Sequence, residues 1–193
     1  MMQSQAKLIF ITGGVRSGKS SYAQKIADSA GGKVYYIATL IPGDEEMQAR
    51  VVEHQKRRPD SWITIEEDCN PARVIKAYDQ IGAVFLIDCL TMLVNNLMFS
   101  GESPPGEESI LNQIEDLAET SSASEATVII VSNEVGGGIV PADPLSRAYR
   151  DALGRANQIV SRRADEVYLC VAGQALELKS RNASLQIKDK EGK

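Results

Sequence analysis

The segment GGVRSGKS at residues 13–20 constrains the fold more than any other stretch of the chain. It matches the phosphate-binding pattern G-x-x-x-x-G-K-[ST], in which backbone N–H groups at the start of a helix cradle nucleotide phosphates. An apolar segment of strand length, 8–11, precedes it, and a helical pattern, 20–27, follows it. The order predicts a strand, a phosphate loop and a helix. The alternative is a glycine-rich turn that contains a lysine by chance.

Two side chains of this segment point to phosphate and metal chemistry. Lys19 is expected to reach the β- and γ-phosphates, and the hydroxyl of Ser20 is expected to bind Mg²⁺. The predicted nucleotide-binding residues of the loop are Gly13, Gly14, Val15, Arg16, Ser17, Gly18, Lys19 and Ser20.

The rest of the chain alternates strand and helix signals, the pattern of a parallel α/β sheet. We therefore expect a P-loop NTPase-type open, mostly parallel sheet with helices on both faces. The 193 residues are most simply one domain, with a frayed tail from about 180 to 193. The further predicted strands are 34–38, 62–66, 83–88, 128–132 and 166–171. The predicted helices are 45–57, 72–78, 91–99, 107–121 and one opened by Asp143 and Pro144.

Asp88 ends the buried strand that begins at Ala83, which is the Walker B arrangement of a metal-binding carboxylate. An aspartate at a strand end can instead cap the next helix. Thr39 stands at the carboxyl end of the predicted strand 34–38. We expect Asp88, Thr39 and the phosphate loop to converge at the carboxyl edge of the sheet, where open α/β sheets bind ligands.

His54 is the only histidine, and it falls on the apolar face of the predicted helix 45–57, beside a short basic run. From the residues alone, a packed and hydrogen-bonded histidine is the better interpretation, and a catalytic imidazole is the alternative. The basic run is by itself a solvated helix end that complements the helix dipole.

Composition and charge exclude several classes of protein. The net charge of −5 gives no electrostatic case for nucleic acid or a membrane surface as partner. The amino-terminal residues lack a signal-peptide core, and no apolar run approaches membrane-spanning length, so we expect a cytoplasmic protein. Cys69, Cys89 and Cys170 follow no metal-ligand spacing.

The phosphate loop alone does not separate a small-molecule kinase, a switch GTPase and an ATPase motor. The absence of a guanine-reading N-K-x-D motif argues against the switch GTPase. Two alternatives stay open from the residues: a kinase of another metabolite without covalent nucleotide, and a regulatory nucleotide-binding ATPase.

Several separated motifs resemble one family. They are GGVRSGKS, YYIAT, HQKRRP, SNEVGGGIVP and the run R-x-Y-R-D-x-x-G-x-x-N-Q from Arg147 to Gln158. Together they are similar to the bifunctional adenosylcobinamide kinase/adenosylcobinamide-phosphate guanylyltransferases of cobalamin biosynthesis, over residues 8 to about 173. The chain departs from that pattern in a longer carboxyl-terminal extension and in the side chains around His54.

The resemblance implies a two-step reaction. Adenosylcobinamide is first phosphorylated on its aminopropanol arm with a nucleoside triphosphate, ATP or GTP. GMP is then transferred from GTP through a guanylylated histidine to adenosylcobinamide phosphate, which yields adenosylcobinamide-GDP and pyrophosphate. By the resemblance, His54 matches that histidine.

The resemblance also implies the remaining site residues and a homotrimer. Glu66 and Asp88 match acidic positions at the nucleotide site, and Glu66 is our candidate for reading the guanine. The other nucleotide-binding positions implied by the match are Ala38, Thr39, Leu40, Gln55, Lys56, Arg57 and Arg58.

Overall fold

The computed structural model describes residues 6–42, 58–99 and 106–181, together with positions 45, 48, 51, 52 and 55. Its centre is a seven-stranded sheet in the order β3-β2-β4-β5-β1-β6-β7. All neighbours are parallel except β6 and β7. The strands are β1 (Leu8–Gly13), β2 (Val34–Ala38), β3 (Ile63–Glu66), β4 (Val84–Asp88), β5 (Thr127–Val131), β6 (Glu166–Val171) and β7 (Gln174–Glu177). The predicted α/β class is confirmed.

The helices begin and end close to where the sequence places them. They are α1 (Lys19–Ala30), α2 (Pro71–Tyr78), α3 (Leu90–Met98), α4 (Glu107–Ala123) and α5 (Pro144–Arg163), followed by a 3-10 turn at Lys179–Arg181. Side-chain caps explain two of the starts, because Asn70 accepts a hydrogen bond from the amide of Arg73 and Asp143 accepts one from the amide of Ser146. None of these described helices combines the length and apolarity needed to span a bilayer.

Helices cover both faces of the sheet, as predicted. Alternate residues of the central strands point to opposite faces, and this alternation divides the core into two clusters. On one face, α1 buries Ala23 and Ala27 against β1, β4 and β5. On the other face, α2, α3, α4 and α5 pack against the same sheet. The phosphate loop and α1 therefore belong to the face with fewer described helices.

One strand of the structure differs from the sequence prediction. The last strand, β7, was not predicted; it pairs antiparallel with β6 through a short turn at Ala172 and Gly173. In the predicted helix 45–57, the described positions 45, 48, 51, 52 and 55 are helical. The predicted tail lies outside the described residues from position 182 onward.

Candidate nucleotide-binding and active site

The phosphate loop follows β1 directly and requires glycine at two positions. A Cβ atom at Gly13 would lie 2.4 Å from the carbonyl oxygen of Cys170, which is too close for any side chain. Gly18 has a φ of 97°, in the left-handed region that favours glycine, and it directly precedes α1. A Cβ there would also lie 3.0 Å from Cα of Gly173. The backbone path alone therefore requires both glycines of the pattern.

The tip of the loop is exposed at Gly14, Val15 and Arg16. Beneath the tip, the amide of Ser17 donates a hydrogen bond of 3.3 Å to the carbonyl of Gly14. The Ser17 hydroxyl is buried and makes no hydrogen bond within the described part of the chain. A buried hydroxyl without a protein partner at this place is suited to a polar ligand.

Lys19 and Ser20 are half-buried in the first turn of α1. Nζ of Lys19 donates a hydrogen bond of 3.0 Å to the carbonyl oxygen of Gly14, so its side chain lies across the loop. Burial lowers the pKa of Lys19, while the acidic groups of Cys89 and Asp88 oppose that shift. The ammonium group of Lys19 is thus within electrostatic reach of Asp88.

Asp88 ends β4, two strands away from the phosphate loop, because β5 lies between β4 and β1. Its neighbours in the sheet are Val131 of β5 and Ala38 of β2. The phenol of Tyr36 donates a hydrogen bond of 2.8 Å to Oδ2 of Asp88. Burial raises the pKa of Tyr36 well above its ordinary value, and the Asp88 carboxylate adds to this, so the phenol remains a donor.

Thr39 reaches the expected edge, but its side chain faces the protein rather than a ligand. It is fully buried, and its hydroxyl both donates to the carbonyl of Cys89 and accepts from the amide of Cys89, each at 2.7 Å. Its carbonyl accepts from the side-chain amide of Asn96 at 2.7 Å. Thr39 therefore ties the ends of β2 and β4 together. Its neighbours Ala38 and Leu40 are half-buried at the same edge.

Arg58 lies over the Tyr36 ring, with its guanidinium carbon 3.4 Å from the ring centroid. Its Nη1 donates a hydrogen bond of 3.3 Å to the hydroxyl of Thr64. The indole of Trp62 stacks near the same tyrosine, with ring centroids 6.4 Å apart. Of the other predicted residues in this segment, Gln55 is helical and exposed. His54, Lys56 and Arg57 lie outside the described residues.

The two adjacent glutamates after β3 have different environments. Glu66 is exposed at the carboxyl end of β3, beside Ala38 in the register of the sheet. Glu67 is buried, accepts a hydrogen bond of 2.9 Å from the amide of Asn70, and pairs with Arg73 at 2.7 Å. Glu66 is therefore open to a ligand, whereas Glu67 shapes the start of α2.

A buried polar network joins the end of β5 to α5 and was not predicted from the sequence. The hydroxyl of Ser132, directly after β5, donates a hydrogen bond of 2.6 Å to Oδ1 of Asn157 on α5. The side-chain amide of Asn157 donates to the carbonyl of Asn133 at 3.1 Å, and the hydroxyl of Thr91 accepts from the Asn133 amide at 2.7 Å. A polar residue within the buried stripe of α5 is the signal that could have revealed this network.

The sequence as a whole matches a known family. A sequence model described as cobinamide kinase / cobinamide phosphate guanyltransferase matches residues 9–178, most of the chain. The chain belongs to this family.

Two family members match this chain over nearly their whole length. The bifunctional adenosylcobalamin biosynthesis protein CobU of Escherichia coli (strain K12) is 39% identical over 182 residues, which span 89% of this chain and 99% of that protein. The bifunctional adenosylcobalamin biosynthesis protein CobP of Pseudomonas aeruginosa (strain PAO1) is 38% identical over 169 residues, 88% of this chain and 95% of that protein.

One solved structure that resembles this chain does so in its fold. The ATP synthase subunit NeqB from Nanoarcheaum equitans aligns with a TM-score of 0.54 at 14% identity, over 86% of this chain and 46% of that one. The topology and this match together confirm the predicted open, mostly parallel α/β sheet.

Membership establishes what the chain does. It is a bifunctional cobinamide kinase and cobinamide phosphate guanylyltransferase that acts in adenosylcobalamin biosynthesis, and nucleoside triphosphates are its substrates. The function predicted from the sequence motifs is therefore confirmed at the level of the two activities.

Proposed function

We propose that both reactions use one nucleotide site, built on the phosphate loop and on the carboxyl ends of β2 and β4. One observation carries this proposal: Lys19 opens α1 behind a loop whose path requires glycine, and its Nζ lies across that loop, 3.0 Å from the carbonyl oxygen of Gly14. The first turn of α1 points free amides toward the loop, and free amides attract phosphate oxygens. Lys19 would bind the β- and γ-phosphates there.

Ser20 and Asp88 are the proposed protein ligands of Mg²⁺. Both offer oxygen, which this hard cation prefers, and Mg²⁺ usually needs only one or two protein ligands beside substrate phosphates and water. In the described ranges, no group of three or more His, Cys, Asp or Glu side chains could form an all-protein metal cage. The residues present therefore fit a metal that arrives with the nucleotide. When bound, it would neutralise charge on the leaving phosphates.

For the kinase reaction, the hydroxyl of the aminopropanol arm of adenosylcobinamide attacks the γ-phosphorus. The new O–P bond forms as the bond to the bridging β,γ-oxygen breaks, and the nucleoside diphosphate leaves. Lys19 and the loop amides hold the phosphate oxygens on which charge accumulates. ATP and GTP share the triphosphate that these groups bind.

For the guanylyl transfer, we assign the nucleophile to His54, on the basis of the motif that it shares with the family. A ring nitrogen of His54 attacks the α-phosphorus of GTP, an N–P bond forms, and pyrophosphate leaves. The phosphate of adenosylcobinamide phosphate then attacks the same phosphorus, which breaks the N–P bond and releases the histidine. The covalent intermediate divides one difficult displacement into two easier ones.

The remaining assignments rest on the family resemblance and, for Glu66 and residues 38–40, on their position at the sheet edge. Glu66 is exposed beside Ala38 and is our candidate for accepting hydrogen bonds from the guanine N1–H and amino groups. Arg58 is the described basic residue closest in sequence to His54 and is our candidate for a phosphate contact. We also assign nucleotide contacts to Gln55, Lys56, Arg57, and to the backbone of 38–40.

Labelling the chain with nucleotide tests the proposal. Incubation with Mg²⁺ and GTP labelled at the α-phosphorus should leave acid-labile, base-stable label on the protein, as expected of a phosphoramidate. His54→Ala should abolish the label and the guanylyl transfer but retain phosphorylation of adenosylcobinamide. Lys19→Ala should abolish both activities. Label that persists in His54→Ala would refute the assignment of the nucleophile, and retained kinase activity in Lys19→Ala would refute the shared site.

We also propose a homotrimer, which the family resemblance supports. Light scattering of the purified chain should give a mass close to three subunits of 20.9 kDa. A monomeric mass in an active preparation would refute it.

A further inference from the structure

Tyr36 makes a polar contact from within an otherwise apolar strand. Its side chain is 2% exposed, yet its hydroxyl reaches Oδ2 of Asp88 at 2.8 Å. The register explains the contact, because Tyr36 pairs with Leu86 on the neighbouring strand and Asp88 lies two residues further along on the same face. The hydroxyl therefore approaches the carboxylate diagonally across the strand pair.

The ring of Tyr36 is held by contacts on its apolar surface. The guanidinium of Arg58 lies 3.4 Å from the ring centroid, a cation–π distance, and its Nη1 also bonds the Thr64 hydroxyl on β3. Trp62 stacks near the ring at 6.4 Å between centroids. Arg58 lies four residues after His54 in the sequence. The buried Tyr36 side chain thus contacts Arg58 through its ring and the Asp88 carboxylate through its hydroxyl.

We propose that Tyr36 is a positioning residue for both reactions: its hydroxyl orients the Asp88 carboxylate for Mg²⁺, and its ring face holds the guanidinium of Arg58 in place. The inference rests on the proposed role of Asp88. A hydrogen bond from a neighbouring side chain fixes the direction in which a carboxylate faces a metal, and loss of such a supporting residue typically changes metal affinity by roughly 10–100-fold.

The two functions of the side chain can be separated by substitution. Tyr36→Phe removes the hydroxyl and keeps the ring under Arg58. It should raise the Mg²⁺ concentration needed for half-maximal guanylylation by roughly tenfold, with the rate at saturating Mg²⁺ nearly retained. Tyr36→Leu removes hydroxyl and aromatic face together. It should also slow guanylylation at saturating Mg²⁺, and Arg58→Ala should reproduce that second effect alone.

The adjacent tyrosine is a matched control. Tyr35 is equally buried on the same strand, but it points to the opposite face and stacks against Phe85 and Tyr78. Its hydroxyl accepts a hydrogen bond from Gln80 at 3.4 Å. Tyr35→Phe should therefore leave the Mg²⁺ dependence unchanged. An equal shift in both variants would mean a general effect of removing a buried hydroxyl and would overturn the inference.

A binding measurement provides a readout that does not depend on turnover. Calorimetry with a non-hydrolysable GTP analogue, with and without Mg²⁺, should show that Tyr36→Phe weakens binding only when Mg²⁺ is present. Trp62 is the single tryptophan, so its emission checks that the phenylalanine ring remains in place. Equal weakening in the absence of Mg²⁺ would overturn the inference.

Combining Tyr36→Phe with Asp88→Asn distinguishes failure of the inference from failure of the proposed site. If Tyr36 acts through Asp88, its substitution should have little further effect once Asp88 has been changed. An Asp88→Asn protein with normal Mg²⁺ dependence would refute the metal assignment itself. A large Asp88→Asn effect to which Tyr36→Phe adds in full would leave that assignment intact and overturn the positioning role.

Discussion

The amide of Gly173 donates a hydrogen bond of 2.9 Å to the carbonyl oxygen of Ser17. This bond joins the turn between β6 and β7 to the underside of the phosphate loop, 156 positions earlier in the chain by the numbering. The turn needs an unusual backbone, because Ala172 and Gly173 both have positive φ, at 50° and 80°. The hairpin formed by β6 and β7 therefore packs against the phosphate loop through its turn.

Close packing between the phosphate loop and the end of β6 predicts that Gly13 and Gly14 differ in their tolerance of a side chain. Gly13→Ala would place a Cβ 2.4 Å from the Cys170 carbonyl oxygen, whereas a Cβ at Gly14 would meet nothing within 4 Å. We expect Gly13→Ala to lower the free energy of unfolding by roughly 1–3 kcal/mol. Gly14→Ala should change it by less than about 0.5 kcal/mol. Urea denaturation measures both, and equal losses would contradict the packing described here.

Glu67 should make folding stability depend on pH in the acidic range. Burial by itself would raise the pKa of Glu67, but the Asn70 amide, the Arg73 guanidinium and the Cys69 amide lower it by more. The folded state therefore favours the carboxylate, and its stabilisation is present above the unfolded pKa near 4.5 and lost as the pH falls through the lower folded value.

The corresponding variant is Glu67→Gln. At neutral pH we expect it to unfold more readily by roughly 1–3 kcal/mol, since it weakens hydrogen bonds to a buried charged group. The difference from the unsubstituted chain should shrink below pH 4.5. Denaturation curves across this pH range test the expectation. Glu66→Gln, at the exposed neighbouring position, is the control, and a loss of the same size there would contradict it.

Glu66 should determine which nucleobase is bound, without affecting folding stability. If its carboxylate reads the guanine, Glu66→Gln should raise the KM for GTP in guanylylation by roughly tenfold, equivalent to about 1.4 kcal/mol. The KM for ATP in the kinase reaction should be unchanged, because adenine lacks the N1–H and amino donors in that arrangement. Steady-state kinetics with both nucleotides supply the comparison. A parallel increase in both KM values would count against base recognition by Glu66.

The network around Asn157 should be important for stability. Asn157→Ala leaves the buried Ser132 hydroxyl and the Asn133 carbonyl without this partner, at an expected cost of roughly 1–3 kcal/mol. Adding Ser132→Ala should recover part of the loss, because it removes a buried hydroxyl that would keep only its 3.4 Å contact with the Thr91 hydroxyl. Thermal unfolding of the single and double variants measures the coupling. Asn112→Ala, at an exposed position of α4, is a matched control that should have little effect.

Much of the site could be predicted from short stretches of sequence. The phosphate loop, the strand ending in Asp88 and the strand ending at Ala38 are local patterns, and the general rule for open α/β sheets places their ends at one edge. The contacts of individual side chains could not be predicted in this way. The Thr39 hydroxyl, for example, both donates to the backbone of Cys89 and accepts from it, a pairing across 50 positions that no local pattern indicates.

The sequence by itself determined the α/β class, the approximate place of most helices and strands, and the family with its two activities. Backbone preference, periodicity and motifs all operate over short windows. Only the tertiary structure decided that β5 separates β1 from β4 and that the hydroxyl of Tyr36 bonds Asp88. It also decided that β7 extends the sheet and that the turn before β7 contacts the phosphate loop. Strand order and contacts between residues some fifty positions apart depend on how all the elements pack together, and no local stretch of sequence specifies that packing.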